Sequence, residues 1–234
     1  PTVNGAGCST GTYILMGILH LNSVSKNFGR KKILEKASFE LKTGEILGVF
    51  GRNGSGKSSL LKIIFGTLKA DHLDLKIDGK QFRGSKIIKH QKIGYLPQFS
   101  FLPAADRVWD IVPKFFEEGN LQDNVLRDPG IERISGTKIG QLSQGERRYL
   151  ELQLVGNLAH PFLLLDEPFS MVEPLYIEHI NRFLIGLKET KGILLTDHYY
   201  HNVWEISDRK KLIKDGQMHD IFSINDLREL GYIR

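Results

Sequence analysis

The sequence contains very little cysteine, and Cys8 is the only one among its 234 residues. A single cysteine excludes an internal disulfide, and this scarcity favours a reducing compartment. Long apolar runs are lacking too, since no stretch approaches the roughly 18 residues that a membrane-spanning helix needs. The longest runs, such as residues 162–165, have the length of a buried strand. The sequence therefore excludes a disulfide-stapled fold and predicts no membrane-spanning helix.

A strong excess of either charge is also missing. The net charge is +5 at pH 7, with 25% charged and 41% hydrophobic residues, and the charges are spread along the chain. This balance fits an anionic ligand or a membrane-proximal surface, but it is too diffuse to indicate nucleic-acid binding. The length and the hydrophobic content suffice for one large domain, or for one core with an insert.

The first residues differ in composition from the rest of the chain. Residues 1–15 are mostly small and polar, and they lack the basic start of a secretory signal. Met16 is a candidate natural start. We expect residues 1–16 to be a leader that is either disordered or left over from expression, and residues 17–234 to be the folded domain.

Three continuously apolar segments predict buried strands. They are ILGVF at 46–50, FLLLD at 162–166 and GILLTD at 192–197, and a helical pattern follows each of them after a few polar residues. Such runs are typical of strands that are covered on both faces of a parallel sheet. Residues 18–50 as a whole open the domain with strands, of which the earlier ones alternate in part. This alternation of apolar strands and helical segments predicts an α/β fold that binds its ligand at the carboxyl ends of the strands.

The region at about residues 98–143 differs from the flanking segments in composition and in its hydrophobic pattern. Prolines interrupt it, and residues 108–126 show the pattern of short amphipathic helices, so we expect a helical insert in the α/β core. Further along, residues 199–207 indicate a helix, residues 209–221 a hairpin around a Lys-Asp-Gly turn, and residues 224–233 a short closing helix.

Residues 51–58, GRNGSGKS, match the phosphate-binding pattern G-x-x-x-x-G-K-[ST] in full. The glycines let the backbone curl around phosphates, and the N–H groups and the helix N-terminus supply positive potential. Lys57 would reach the β- and γ-phosphates, and Ser58 would offer its hydroxyl to Mg²⁺. A glycine-rich turn with an unrelated lysine is the alternative, but it leaves the flanking strand and helix unexplained. The predicted nucleotide contacts of this phosphate loop are Gly51, Asn53, Gly54, Ser55, Gly56, Lys57, Ser58 and Ser59.

Two acids, Asp166 and Glu167, stand at the end of the second apolar strand. Acids in this position are costly unless they have partners or a task. We expect Asp166 in the Mg²⁺ shell, through water, and we expect Glu167 to polarise a water molecule for attack on the γ-phosphate. An acid pair that caps a helix is the alternative, which a neighbouring phosphate loop makes less favoured.

A second polar element, LSQGE at residues 142–146, precedes another helical pattern. Ser143 as the N-cap, with Glu146 three residues later, predicts a capping box. A capped helix start is also an anion site, so the structural and the ligand-binding interpretations hold together.

The phosphate loop, the Asp-Glu strand end and LSQGE together resemble the ATP-binding-cassette ATPases, over about residues 18–221. The resemblance implies an α/β fold: a P-loop NTPase core with a mostly parallel sheet, an N-terminal antiparallel β subdomain and an inserted α-helical subdomain. It also implies that two subunits pack head to tail. The signature element of one subunit, here Ser143, Gln144, Gly145 and Glu146, then lies against the ATP that the other subunit holds.

Three further positions match the family one at a time. Gln98 matches the glutamine that senses Mg²⁺ and the attacking water, and that borders the contact with membrane subunits. His198 matches the histidine that contacts the γ-phosphate. Phe28 lies where an aromatic ring, usually tyrosine, stacks on adenine, and phenylalanine keeps the ring face. Without the resemblance, each of the three would be interpreted as an ordinary loop or core residue.

Several positions depart from the common family pattern. Gln144 replaces a glycine, Glu146 replaces a glutamine, and Tyr149 stands where arginine is common. Residues 170–173, Ser-Met-Val-Glu, replace the usual Ser-Ala-Leu-Asp, so Glu173 keeps the charge but is one methylene longer. Every residue with a proposed chemical role is still of a competent type, and we therefore expect an active ATPase.

The resemblance implies an ATP-binding and ATP-hydrolysing transporter subunit that uses ATP and Mg²⁺. It would drive transport through separate integral membrane subunits, peripherally, at the cytoplasmic face of the cell membrane. Both half-sites are intact on one chain, which favours a homodimer, and no nucleic acid is expected as a partner. The finer resemblance is to cassettes of branched-chain amino acid uptake and lipopolysaccharide export. The alternatives are a soluble ATPase of translation or DNA repair, and a nucleotide-binding regulator without turnover.

Overall fold

The computed structural model describes residues 17–83 and 86–233. Its strands form two sheets. The first sheet contains β1 (Ile18–Phe28), β2 (Lys31–Lys42), β4 (His72–Ile77) and β5 (Lys80–Phe82). The second contains β3 (Ile46–Phe50), β6 (Ile93–Leu96), β7 (Phe162–Asp166), β8 (Gly192–Thr196), β9 (Arg209–Lys214) and β10 (Gln217–Ile221). The predicted leader at residues 1–16 lies outside the described residues.

The two sheets differ in strand direction. The first has the order β2-β1-β4-β5 and is antiparallel. The second has the order β10-β9-β3-β8-β7-β6, and its pairs are parallel except for the β9–β10 hairpin. The three apolar runs of the sequence lie side by side as β3, β8 and β7. The predicted fold class is thereby confirmed, with an antiparallel N-terminal sheet beside a mostly parallel one.

The central strand β3 shows why its residues are apolar without interruption. All five are buried. Ile46 and Phe50 belong to a hydrophobic cluster on one face of the sheet, and Leu47 and Val49 belong to a second cluster on the other face. Both faces of β3 are covered, so a polar side chain at any of its positions would be buried and would destabilise the core.

Helices alternate with many of these strands along the chain. They are α1 (Lys57–Phe65), α2 (Lys86–Lys89), α3 (Val108–Phe115), α4 (Gly119–Leu126), α5 (Pro129–Glu132), a 3₁₀ turn (Ile139–Gln141), α6 (Gln144–Gly156), α7 (Pro174–Lys188), α8 (Tyr200–Ile206) and α9 (Ile224–Glu229). The apolar side chains of α1 join strands of both sheets in one cluster. No helix in residues 17–83 and 86–233 has both the length and the apolar character of a bilayer-crossing segment.

The region between β6 and α6 contains the helices α3, α4 and α5. Val108, Ile111 and Val112 of α3 are buried in the same cluster as the apolar side chains of α6. The hydroxyl of Tyr149 in α6 donates to Asp128, the N-cap of α5, at 2.9 Å. The tyrosine that departs from the family pattern thus ties α6 to these helices.

Candidate functional site

The predicted site residues meet at one edge of the parallel sheet. The phosphate loop follows β3, Gln98 follows β6, Glu167 follows β7, and His198 follows β8. Parallel strands end at the same edge, so the sheet brings together four loops that are far apart in the sequence.

Two glycines of the phosphate loop have left-handed backbone conformations. The φ angle is +75° at Gly54 and +106° at Gly56, the N-cap of α1. A Cβ atom on Gly56 would lie 2.7 Å from Cγ2 of Ile33. Both the backbone and the space at residue 56 therefore require glycine. The resulting tight turn brings the loop onto the N-terminus of α1, where an anion is stabilised.

Lys57 is a buried cation next to this loop, with only 5% of its surface exposed. Its ammonium group donates to the carbonyl of Gly51 at 2.6 Å. Burial lowers the pKa of Lys57, while the charges of Glu167, Asp166 and Asp197 act in the opposite direction. An anion in the loop would give this desolvated ammonium group an additional charged partner.

The carboxylate of Asp166 is fully buried and accepts hydrogen bonds from three side chains. Its Oδ1 atom accepts from the hydroxyls of Ser58 and Thr196, each at 3.0 Å, and its Oδ2 atom accepts from Tyr95 at 3.3 Å. Burial and the charge of Asp166 raise the pKa of Tyr95. The phenol therefore stays protonated and keeps its role as a donor.

The chemistry of Ser58 and Asp166 fits Mg²⁺, which prefers hard oxygen ligands. A hydroxyl and a carboxylate meet here beside the phosphate loop. The described residues contain no group of three or more His, Cys, Asp or Glu side chains that could hold a metal ion. A site with few protein ligands suits Mg²⁺, because this ion usually keeps waters and shares the oxygens of a bound phosphate.

Glu167 lies between Gln98 and His198. Its Oε2 atom accepts from Nε2 of Gln98 at 2.9 Å, and its Oε1 atom is 2.6 Å from Nε2 of His198. The φ angle of Glu167 is +57°. A left-handed glutamate costs roughly 1–3 kcal/mol, so its surroundings must hold the turn. The three residues predicted to be catalytic are thus brought into direct contact.

A groove of about 500 Å³ runs along the phosphate loop. Its volume is in the range of small-molecule sites. Phe28 lines it with a half-exposed ring, and Nζ of Lys26 lies 4.9 Å from the ring centroid. The lining residues are Phe28, Lys31, Ile33, Asn53, Gly54, Ser55, Gly56, Lys57, Ser58, Ser59, Gln98, Glu167 and His198.

The signature element does not take part in this groove. None of residues 142–146, all of which the structure describes, is among the lining residues. The predicted capping box is present: Oγ of Ser143 accepts from the Glu146 N–H at 3.2 Å, and Oε2 of Glu146 accepts from the Ser143 N–H at 2.9 Å. Gln144 and Gly145 form the first turn of α6. The signature element therefore has no part in the groove along the chain's own phosphate loop, although Gln144 lines a second pocket together with Gln98 and Glu167.

The sequence interpretation missed three charged residues near the site: Arg148, Glu151 and Asp197. Asp197 accepts the N–H groups of Phe169 at 2.7 Å and Tyr199 at 3.0 Å, and burial raises the pKa of its carboxyl group. An acid at the end of an apolar strand is the signal that points to Asp197. Arg148 and Glu151 give no comparable signal, because two opposite charges three residues apart on a helix ordinarily form a surface pair.

Comparisons with known proteins agree with this geometry. The family model described as ABC transporter matches residues 34–170. The lipopolysaccharide export system ATP-binding protein LptB of Acidithiobacillus ferridurans is 27% identical over 212 residues, which are 86% of this chain and 88% of that protein. The hemin import ATP-binding protein HmuV of Pseudomonas fluorescens is 38% identical over 162 residues, which are 63% of this chain and 64% of that protein.

A solved structure described as the ATP-binding subunit of an ABC transporter has a TM-score of 0.78 to this chain. The two are 21% identical, and the match covers 91% of this chain and 92% of the other. At that identity the likeness establishes the fold. The family model, in contrast, covers more than half of the sequence, and we conclude that this chain belongs to the ABC transporter family as an ATP-binding, ATP-hydrolysing protein.

Proposed function

We propose that this chain is the ATPase subunit of a membrane transporter and works as a head-to-tail homodimer. ATP would lie between the phosphate loop of one copy and the signature element of the other. The observation that carries the proposal is the separation of these two elements. The groove contains the phosphate loop, Gln98, Glu167 and His198, whereas residues 142–146 do not line it.

The groove is suited to a nucleoside triphosphate. Phe28 offers a ring face to the base. The left-handed turns at Gly54 and Gly56 open the loop backbone to phosphates, and Lys57 supplies a buried positive charge. Charge-assisted hydrogen bonds from such a cation are among the stronger contacts in proteins, and ATP would replace the Gly51 carbonyl as its partner.

Ser58 would hold Mg²⁺, with Asp166 and Gln98 behind it. The ion supplies charge neutralisation for the phosphate oxygens. The hydrogen bond between Ser58 and Asp166 at 3.0 Å supports this assignment, because the two oxygen ligands already converge.

Glu167 would orient the attacking water and accept its proton. The water oxygen then bonds to the γ-phosphorus, the bond to the bridging oxygen breaks, and ADP and phosphate form. His198 would contact the γ-phosphate. In the present geometry Gln98 and His198 both bind the Glu167 carboxylate, at 2.9 and 2.6 Å. Nucleotide binding would have to exchange at least one of these contacts for a water molecule and a phosphate oxygen.

The signature element would complete the site of a second copy. The Ser143 hydroxyl accepts the N–H of Glu146, so its own proton remains available for a phosphate oxygen. The start of α6 adds its dipole. ATP would thereby hold the two copies together, and hydrolysis would release them, which gives a transporter its two states.

Separate membrane subunits would receive this motion at the cytoplasmic face. Phe99 and Phe101, next to Gln98, are 77% and 41% exposed, and Trp109 at the start of α3 is 50% exposed. Exposed aromatic side chains of this density suit a protein interface. The relatives are named for lipopolysaccharide export and hemin import, and these differing names give no common cargo to propose.

Affinity capture from membranes of the native host tests the transporter role. We expect a multi-span membrane protein to co-purify with the tagged chain. Phe101→Glu should weaken this capture, whereas Phe222→Glu, which changes an 88% exposed phenylalanine beyond β10, should leave it unchanged. Capture of ribosomes or DNA-repair proteins instead would contradict the transporter role while leaving the ATPase assignment intact.

A further inference from the structure

Helix α6 carries a buried ion pair that the proposed function does not use. Arg148 and Glu151 are 6% and 1% exposed, and Nη1 of Arg148 lies 3.4 Å from Oε2 of Glu151. Burying two charges costs free energy unless their remaining hydrogen-bonding groups are also satisfied. The other partners of this pair therefore indicate what the pair does.

Arg148 bridges two of the loops that form the site. Its Nη1 atom donates to the carbonyl of Pro97 at 2.6 Å. Its Nη2 atom donates to the carbonyls of Asp166 and Glu167, the latter at 3.1 Å. One guanidinium group thus contacts both the segment that leads into Gln98 and the turn that carries Glu167.

Glu151 holds the other end of the Gln98 segment. Its Oε1 atom accepts from the N–H of Phe101 at 3.3 Å. The Arg148–Glu151 pair therefore forms hydrogen bonds to both ends of residues 97–101. We call this pair the α6 clamp. Gln98 lies inside this segment and binds the carboxylate of Glu167 at 2.9 Å.

These contacts form a closed ring. It runs from Arg148 to Pro97, along the backbone to Gln98, through its side chain to Glu167, and from the Glu167 carbonyl back to Arg148. Glu167 has a left-handed backbone, which only surrounding contacts can maintain. A planar guanidinium group can serve two segments at once, whereas an ammonium group is a single point charge.

We propose that Arg148, assisted by Glu151, is a positioning residue that fixes Glu167 and Gln98 relative to each other. The inference rests on the roles given to Glu167 and Gln98 under the proposed function. Arg148 is not among the residues that line the nucleotide groove, and it lines a neighbouring pocket together with Gln98 and Glu167. It acts on hydrolysis through the backbone of Glu167.

The first test is Arg148→Lys, which keeps the positive charge but removes the planar guanidinium group. We expect kcat for ATP to fall roughly 10- to 100-fold, as is usual when supporting contacts of a site are lost. The Kd for ATP should change by less than about threefold, because the phosphate loop is untouched. Arg127→Lys is the matched control: it makes the same change in an Arg–Asp pair on a helix, but Arg127 is 79% exposed and joins no loops.

The same substitution in a second parent protein, the Glu167→Gln chain, separates a positioning role of Arg148 from a general loss of stability. In a Glu167→Gln chain, single-turnover hydrolysis should fall less than about threefold when Arg148→Lys is added, because residues that act as a unit are not additive. An equal loss in both backgrounds would overturn the positioning role and leave the proposed function standing. Hydrolysis by Glu167→Gln alone at the parent rate would instead overturn the proposed role of Glu167.

Glu151→Gln decides the matter if Arg148→Lys does not fold. Glutamine keeps the shape and an acceptor oxygen for the Phe101 N–H, but removes the charge beside Arg148. We expect kcat to fall roughly 3- to 10-fold with unchanged ATP affinity. A parent-like kcat in a folded Glu151→Gln protein would contradict the α6 clamp.

Discussion

The phosphate loop and the signature element both lead into the start of a helix, but the two helix starts are built differently. Helix α1 begins after Gly56 without a side-chain cap, whereas α6 begins with a complete capping box made by Ser143 and Glu146. The chain gathers Asp166, Glu167, and the residues that contact them around the first helix start. None of the groove residues belongs to the second.

This difference indicates which of the two helix starts has the catalytic groups of its own chain around it. An uncapped helix N-terminus surrounded by acids, hydroxyls and a buried lysine is prepared for a phosphate and a metal ion. The self-capped N-terminus of α6 has its first free N–H groups satisfied by its own side chains, and it has no buried lysine or glycine-rich loop beside it. Under the proposed function, the first would be the catalytic half, and the second would be the half that a partner copy uses.

The strongest way to break the catalytic half is Glu167→Gln. We expect kcat to fall by roughly 10² to 10⁴, the usual contribution of a general base, with ATP affinity retained. Steady-state phosphate release and nucleotide titration measure the two quantities. Glu178→Gln, on the exposed face of α7, is the control and should keep the parent rate. A kcat within tenfold of the parent rate would contradict the role of Glu167.

Ser143→Ala tests the other half. We expect kcat to fall roughly 10- to 100-fold, the value of one hydrogen bond to a charged group at about 1.5–3 kcal/mol. ATP binding to the single chain should not change. Ser223 offers a matched control, because it closes the same kind of capping box at α9.

Both serine variants should lose about 1 kcal/mol of unfolding free energy through the lost cap. Only Ser143→Ala should lose hydrolysis. If both variants hydrolyse ATP equally well, Ser143 is only a helix cap, and the head-to-tail arrangement loses its main support.

Gly56→Ala probes the conformational requirement of the phosphate loop. The new Cβ atom would lie 2.7 Å from Ile33, whereas at Gly79, which also has a positive φ of 76°, no heavy atom lies within 4 Å. Crowding of this kind costs about 1–3 kcal/mol. We therefore expect Gly56→Ala to lose about 2 kcal/mol more unfolding free energy than Gly79→Ala, measured by denaturant titration. Equal losses would show that the loop adapts to a side chain.

Phe28→Ala should have the smallest effect. Stacking of a base on an aromatic ring contributes about 1–3 kcal/mol, so we expect the Kd for ATP to rise roughly tenfold. Phe28→Tyr should keep the parent affinity because the ring face is unchanged. Fluorescence titration with ATP and with triphosphate alone separates the base contact, since triphosphate binding should not respond to either variant.

The sequence predicted much of the catalytic half because its elements are local. The phosphate loop is a continuous pattern, and the run at residues 46–50 indicates a strand buried on both faces. The order β3-β8-β7 and the contact of Gln98 with Glu167 depend on long-range packing. No periodicity in one sequence encodes such distances.

The α6 clamp shows the same limit in another form. The sequence shows Arg148 and Glu151 three residues apart, which alone indicates an ordinary surface pair on a helix. Their burial follows from where α6 packs against the loops after β6 and β7. The resemblance to a family supplied roles for Gln98 and His198 that local chemistry could not. The contact between Arg148 of α6 and the carbonyl of Glu167 is visible only in the structure.

The central claim is that the two halves belong to different copies, and the mass of the Glu167→Gln chain in solution tests it most directly. Sedimentation should show one chain without nucleotide and twice that mass with ATP and Mg²⁺. Adding Ser143→Arg should abolish the doubling while ATP remains bound. A Glu167→Gln protein that binds ATP and stays a single chain, or a Ser143→Arg variant that still doubles its mass, would contradict the account.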